Sequence, residues 1–581
     1  MKQTASGRFL CASRPMLAAA LLCALPSCLL SGASFEQGVP IVPAVRGGVT
    51  SAVIDTDAVV ARAALAAQEE LAATEPAPSG PEQEVVIQDM DRLKQYVPDP
   101  VEAEISDIAR PQRVLLSLRD AVALAAAHSF RIRTQGFGPA ISAMDVLAAE
   151  AVFDASYFLE GEYTKQNQPT PSQLIGSSVE QHTMTTGITK PLPTGAAITG
   201  AWNLVRYDTS LSYYTLNPSY TSSFALELRQ PLLRGFGLDV NRANIELAEN
   251  NTLIAKFDLE QAAREQLSNV EKTYWQLVQA RRNVVIQKSL VDQTEETLDF
   301  LEKRKMFDVY AVQITRTQAL LGTRQAEYVQ IKNRVRDLED QLKQLINYPD
   351  LNLGEDIEIV PVDFPTVGPI AMDRIAQVQV ALQNRSEIEQ RKLTIENARI
   401  NVAVRKNQAL PKLDLTARYT INGLAGNPGN AFDEMSTSHF QDYFVGISFE
   451  YPIGNRAARA EQRKAVLQRD QAIAALKEVI EGVILEVDVA VRELQTSYDQ
   501  IPPTSASVVA AEENLDAIVA RRVRLSPEYL DLQLRAQETL AQARQALLAA
   551  LVNHNVALVE LERTKGTLLQ HYNVSLCPEL E

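Results

Sequence analysis

Two patterns of apolar and polar positions run along the chain, and each occurs twice. Tyr157, Leu159, Gly161 and Tyr163 are interleaved with Glu160 and Glu162, and Leu413, Leu415, Ala417 and Tyr419 with Asp414, Thr416 and Arg418. A period of two predicts a strand that is mainly apolar on one face and polar on the other. A closing strand follows each: Phe224, Leu226 and Leu228 alternate with Ala225, Glu227 and Arg229 up to Pro231, and Val445, Ile447, Phe449 and Tyr451 alternate with Gly446, Ser448 and Glu450 up to Pro452. The first strands are offset by 256 positions but the prolines by only 221, so the first copy holds 35 extra residues between its paired strands. There Thr186–Lys190 and Ile198, Gly200, Trp202 and Leu204 flank Pro191-Leu192-Pro193-Thr194-Gly195. Pro193 to Gly195 suits a tight turn, which predicts two further strands per protomer, with Trp202 in an interfacial aromatic girdle.

After each proline the period changes to that of a helix. Beyond Gly235 and Gly237 the first helix descends through Ala248, Phe257, Val270, Tyr274, Leu277 and Leu298 to about Met306. Between Pro231 and Pro349 there is no proline, and glycine falls only at 235, 237 and 322. A helix of about 70 residues is about 100 Å long, more than a globular domain needs. Short breaks follow near Phe307–Tyr310 and Ser526–Tyr529, and helices return to about Ile346 and Tyr572. Ser526-Pro527-Glu528 is a good helix start: a capping hydroxyl, a proline in the first turn, an acid at the positive end. Pro502 and Pro503 predict a kink or break in the second long helix. Leu124–Ile132 also sits opposite Val380–Ile388 at the offset of 256, and Pro349, Pro361, Pro365 and Pro369 mark an irregular linker between copies.

A strand hairpin on a 100 Å helical hairpin (about that length at 1.5 Å per residue) cannot cover its apolar strand faces or its edges within one chain. Isolated hairpins are marginal and open edges are costly, above all in lipid. Closure through several copies solves both problems, with a strand barrel in a membrane and a hollow helical cylinder below it.

The N-terminus bears Lys2, Arg8 and Arg14, then an apolar stretch from Met16 to Leu25 and small residues, the order of a secretory signal. That stretch is too short to span a bilayer, and no later segment reads as both apolar and long enough, so strands are expected to make any crossing. Cys28 follows Leu25-Pro26-Ser27, which resembles a lipoprotein cleavage box and makes Cys28 a candidate lipidation site; the alternative is ordinary cleavage after Ala33. Of the four cysteines only Cys577 lies far from the signal, so no disulfide framework is expected. A net charge of −16 with no basic face argues against nucleic acid. His128, His182, His439, His554 and His571 show neither metal-ligand spacing nor partnership with a nucleophile, and no phosphate-cradling motif surrounds Gly235 and Gly237, so no cofactor, metal or catalysis is expected.

From about Leu115 to Val574 the chain resembles the TolC-like outer-membrane efflux proteins. The resemblance is carried by Ala550-Leu551-Val552-Asn553-His554-Asn555-Val556-Ala557-Leu558-Val559-Glu560-Leu561-Glu562-Arg563, which is similar to that family's closing helix, and by Gln230-Pro231-Leu232-Leu233-Arg234-Gly235 at the strand-to-helix transition. It implies a mainly α fold with membrane β: two-repeat helical hairpins forming a trimeric α-barrel continuous with an outer-membrane β-barrel. The expected divisions are a signal peptide (1–28), a low-order extension (29–114), repeat one (115–346), a linker (347–372), repeat two (373–574) and a tail (575–581). The implied function is a passive exit duct for small molecules, a homotrimer in outer-membrane lipid that docks on a periplasmic adaptor protein and an inner-membrane pump. A type I protein secretion duct and an exported coiled-coil scaffold without a pore are the alternatives. Family members carry glycine at the helical tips, where this chain has Phe307 and Ser526. Arg304, Lys305, Phe307, Asp308 and Tyr310, with Arg521, Arg522, Arg524, Ser526 and Glu528, are the candidates for a periplasmic gate and adaptor contact.

Overall fold

The computed structural model describes residues 112–169, 176–211, 213–304, 311–368, 373–520 and 527–576. The signal segment, Cys28, the extension up to residue 111 and Cys577 lie outside them. Strand β1 (Gln112–Leu116) leads to α1 (Leu118–His128) and α2 (Phe130–Glu150), then to four strands, β2 (Ser156–Asn167), β3 (Ser178–Pro191), β4 (Ala197–Thr209) and β5 (Ser219–Pro231). The short α3 (Leu238–Asn241), the long α4 (Ala243–Lys303) and the returning α5 (Ala311–Ile346) complete the first repeat. After β6 (Ile357–Pro361), the second repeat runs through α6 (Arg374–Asn384), α7 (Ser386–Gln408), β7 (Lys412–Ala425), α8 (Pro428–Ser436), β8 (Phe440–Glu450), α9 (Arg456–Asp499), α10 (Ile501–Ala520), α11 (Pro527–Lys565) and α12 (Leu568–His571).

The duplication extends to the helix caps. Ser117 Oγ accepts from the Asp120 amide at 3.1 Å to start α1, and Asp373 Oδ1 accepts from the Ile375 amide at 2.9 Å to start α6. Each satisfies an amide with no partner inside its helix. Both short helices end on one extended residue, Ser129 or Arg385, before the next helix begins. The long α4 has 61 residues, about 90 Å. Leu267, Val270, Tyr274, Leu277 and Val278 of α4 meet Val335, Leu338 and Leu342 of α5 and Leu547, Leu548 and Leu551 of α11 in one core. Val378, Ala381 and Ile388 meet Leu476, Ile480, Val483 and Val487 of α9 with Ala557 and Leu561 of α11 in a second. Because α11 feeds both cores, it ties the two repeats together.

Six strands form one antiparallel sheet in the order β2-β3-β4-β5-β7-β8. The 35 extra residues therefore do build a hairpin, β3–β4, with its turn at Leu192–Ala196. Several expectations are corrected. The linker is not irregular throughout: β6, buried at every position, pairs in parallel with β1. Strand β1 begins at Gln112, inside the span expected to be of low order. The closing helix stops at Lys565, well before Tyr572, because Gly566 takes φ +77° and a Cβ there would sit 2.8 Å from the Asn384 carbonyl oxygen. The proline pair produces the expected break, at Gln500 between α9 and α10. Pro502 and Pro503 lie in the first turn of α10, where a missing N–H costs no intrahelical bond. Finally, residues 130–153, which include α2, are long and apolar enough to cross a membrane by length and composition, contrary to the sequence reading. In the fold α2 packs along α4 through Ile132 and Pro139, and Arg131 pairs with Glu265 at 2.6 Å.

Candidate channel wall and helical tip

Strand pairing fixes which side chains share a face of the sheet. Tyr157, Ile188, Gly200, Leu226, Tyr419 and Tyr443 lie in one lateral row, and Leu159, Thr186, Trp202, Phe224, Ile421 and Gln441 in the next on the same face. This face is mainly apolar, and Tyr157, Leu226 and Tyr443 are exposed. The opposite face is hydroxyl- and amide-rich: Glu160, Thr185, Asn203, Ser223 and Asn422 form one of its rows. Thr185 Oγ1 donates to Asn203 Oδ1 at 3.1 Å, and the Thr189 and Thr199 hydroxyls pair at 3.1 Å. Ion pairs lie at both ends of the sheet: Lys165, Glu180, Arg206 and Asp208 cluster at the end far from the helices, and others stand where the strands meet the helices. Arg418 Nε donates to Glu227 Oε2 at 2.7 Å, and Arg229 Nη2 to Asp414 Oδ2 at 2.6 Å. The wall can face lipid on one side and water on the other.

The junction of sheet and helices is held by backbone contacts that few residue types allow. Gly195 has φ +89°, and a Cβ there would lie 2.1 Å from the Gly235 carbonyl oxygen, so the β3–β4 turn nests on the β5–α4 junction only as glycine. Asn407 Oδ1 accepts from the Gly235 amide at 2.7 Å, and Asn241 Nδ2 donates to the Gly235 carbonyl at 2.9 Å. Asn455, at the matching corner of repeat two, donates to the Ala409 carbonyl at 2.8 Å.

Midway along the helices, buried ionic groups brace the parallel β1–β6 pair against α4. Arg281 donates to Glu339 Oε1 at 3.1 Å, Glu358 Oε1 at 2.6 Å and the Ile359 carbonyl at 3.1 Å, with all three side chains at most 2% exposed. Arg113 adds a second contact to Glu358 at 3.0 Å. The Tyr274 hydroxyl donates to Asp363 Oδ2 at 2.7 Å. Nearby, burial pushes the Glu271 carboxyl up to about 7 despite a hydrogen bond with Tyr572, and Glu562 adds to the rise. Burial would raise Glu560 as well, but Arg563 and Lys272 hold it down at about 2. His554 is buried and its pKa is lowered by desolvation; its Nδ1 lies 3.3 Å from Ser497 Oγ. Among the described residues, no group of His, Cys, Asp and Glu has the geometry to hold a metal ion.

Of the gate candidates only Arg304 and Glu528 lie within the described residues. Lys305, Phe307, Asp308, Tyr310, Arg521, Arg522, Arg524 and Ser526 lie outside them. Arg304 stacks over the Phe300 ring at 5.6 Å, and Glu528 is exposed in the first turn of α11. Below the tips, Leu301, Ile314, Leu530 and Leu534 pack together. Arg316 Nη2 meets Asp531 Oδ1 at 2.6 Å, and Arg324 Nη2 donates to the Leu534 carbonyl at 3.1 Å, so α5 is joined to α11. Sequence reasoning missed Arg316, Arg324 and Asp531 because they stand within helical pattern, outside the breaks at Phe307–Tyr310 and Ser526–Tyr529.

Residues 377–567 match the family model of outer membrane efflux proteins. Solved structures share this fold at low identity over 77–78% of the chain. The Campylobacter jejuni CmeC outer membrane channel superposes with a TM-score of 0.58 and 16% identity over 78% of this chain and 86% of that one. The outer membrane protein VceC from Vibrio cholerae gives 0.56 and 16% over 77% and 96%, and the open state of the Neisseria gonorrhoeae MtrE outer membrane channel gives 0.55 and 16% over 78% and 89%. No curated protein matches the chain in sequence.

Proposed function

We propose that this chain, a member of the outer membrane efflux protein family, is the outer-membrane exit duct of a tripartite efflux system, a passive conduit whose driving force comes from an inner-membrane pump. One observation carries the reading furthest: a six-stranded sheet with one exposed apolar face, one polar face and two unpaired edges, β2 and β8. Unpaired backbone groups in lipid cost several kcal/mol each, in order of magnitude, so such a sheet must close. Joining β8 of one copy to β2 of the next closes it, and three copies give a barrel with the polar face inward. The helices supply a second seam. Phe130, Phe137, Ile141 and Met144 form an exposed stripe along α2 at the spacing that seats one helix against another. Homotrimer formation and docking of a periplasmic adaptor are parts of this proposal.

The helical tips are where both repeats reverse, and they are the natural place for the constriction. The Arg316–Asp531 pair is two-thirds exposed on the arginine side, so it contributes only about 0 to 1 kcal/mol, weak enough for a docking partner to displace. Purified protein in planar lipid bilayers should give discrete single-channel steps. A chain that fractionates as a soluble monomer and gives no steps would reject the duct.

A further inference from the structure

The connection between β7 and β8 does not project from the end of the sheet. It folds into helix α8, which lies back on the apolar face. Asn427 Oδ1 caps it by accepting from the Asn430 amide at 2.9 Å, with Pro428 in the first turn. Its underside is Ala431 and Met435, both buried. Its seat is a gap in the apolar face: Gly423 and Ser222, adjacent in the β5–β7 register. A Cβ on Gly423 would stand 2.2 Å from the Ala431 carbonyl oxygen and 2.3 Å from the Met435 amide nitrogen, so the helix backbone rests directly on the strand. Ser222 Oγ accepts from Trp202 Nε1 at 2.8 Å and donates to Met435 Sδ at 3.4 Å.

Two features fix what lies on the outer side of α8. The helix packs on β5 and β7, the fourth and fifth strands of the sheet order, and so lies on its own copy's wall. Gly423 stands nine residues beyond Asp414, which pairs with Pro231 at the helix end of the sheet. That distance is about 30 Å along a strand and about 23 Å across the membrane at a tilt of about 40°, close to the far edge of an apolar band about 25 Å tall. At 100° per residue, with Ala431 and Met435 beneath, Phe432 falls on one flank, Glu434 on the other and the exposed Asp433 on the side turned away from the sheet. Phe432 sits edge-on to Trp202, one row nearer the helix end, at 6.2 Å between ring centroids, and is 49% exposed.

We propose that α8 is an interfacial helix seated in the outer leaflet, with Phe432 and Trp202 against the acyl chains and Asp433 and Glu434 at the level of the head groups. The occupant of this surface is lipid, by continuity with the lipid-facing band, and the proposal rests on the duct reading of that face. An amphipathic helix at this depth fixes the vertical position of the barrel rim.

The test uses the full chain, with Cys11→Ser, Cys23→Ser, Cys28→Ser and Cys577→Ser, reconstituted in phospholipid vesicles and carrying a nitroxide on Phe432→Cys, Glu434→Cys or Leu226→Cys. Relaxation is measured with oxygen and with a nickel chelate. Expected is oxygen-dominated relaxation at 226 and 432 and chelate-dominated relaxation at 434. Chelate access at 432 with lipid access at 226 would overturn the interfacial helix and leave the duct intact. Shielding of 432 from both agents would mean a protein covers it, which also overturns the proposal, and loss of lipid access at 226 would remove the duct reading beneath it. An independent measurement uses Trp275→Phe, which leaves Trp202 as the sole tryptophan. Quenching by brominated acyl chains should rise when Gly423→Val unseats the helix, and unchanged quenching would count against the seat.

Discussion

Glu271 gives a prediction whose size follows from its surroundings. Its side chain is buried on α4 beside Tyr572 and Glu562, with Lys272 as the nearby cation. A carboxyl raised from 4.5 to about 7 binds a proton more tightly in the folded chain than in the unfolded one. The folded state is therefore favoured fully below about pH 4.5, loses stability as pH rises towards 7, and is level above that. Two and a half pKa units amount to about 3 kcal/mol per protomer. Glu271→Gln keeps an acceptor for Tyr572 but cannot ionise, so it should match the parent near pH 4 and exceed it by about 3 kcal/mol at pH 8. For a chain of this length that is roughly 2 to 3 °C in Tm. The assay is thermal unfolding of the detergent-solubilised protein followed by circular dichroism from pH 4 to pH 8. If the pH dependence of Tm between 4 and 8 is the same in both proteins, Glu271 is not the buried titrating group and the reasoning fails.

Arg281→Met should destabilise by about 3 to 5 kcal/mol, because it removes the buried cation that Glu339 and Glu358 share, although Glu358 keeps Arg113; calorimetry on the solubilised protein reads the loss. Gly195→Ala should cost about 1 to 3 kcal/mol or more, since alanine is strained at φ +89° and its methyl would meet the Gly235 carbonyl. Proteolysis of the β3–β4 turn, faster in the variant, reports it.

Much of the wall could be read from the sequence because a half-buried strand has only one solution: every second residue apolar. That rule located β2, β5, β7 and β8, and the turn chemistry at Pro193–Gly195 located β3 and β4. What could not be read has a different physical character. Strand β6 is a buried five-residue run inside a proline-rich stretch, and its partner β1 lies 245 positions away; no local period distinguishes such a pair from a linker. The end of α11 at Gly566 depends on the approach of Asn384 from the other core. Helix α8 did have a local sign, Asn427-Pro428 as cap and first turn, but its resting place depends on Gly423, which looks in sequence like an ordinary small strand residue. The tip is the least legible part. Just below it, among the described residues, long side chains, Arg316 and Arg324, reach from one helix to another, and helical periodicity carries no information about such reach.

The β3–β4 hairpin has a hydraulic consequence. Barrel diameter grows roughly in proportion to strand number. Closed as the proposed trimer, three six-stranded sheets at a spacing of about 4.8 Å and a tilt of about 40° would enclose a backbone cylinder about 18 Å in radius, half as wide again as one built from four strands per copy. For conduits joined end to end, the narrowest section sets the resistance. In that trimer a mouth so broad would offer cargo almost none, and the rate of discharge and the choice of what passes would be set at the opposite, helical end.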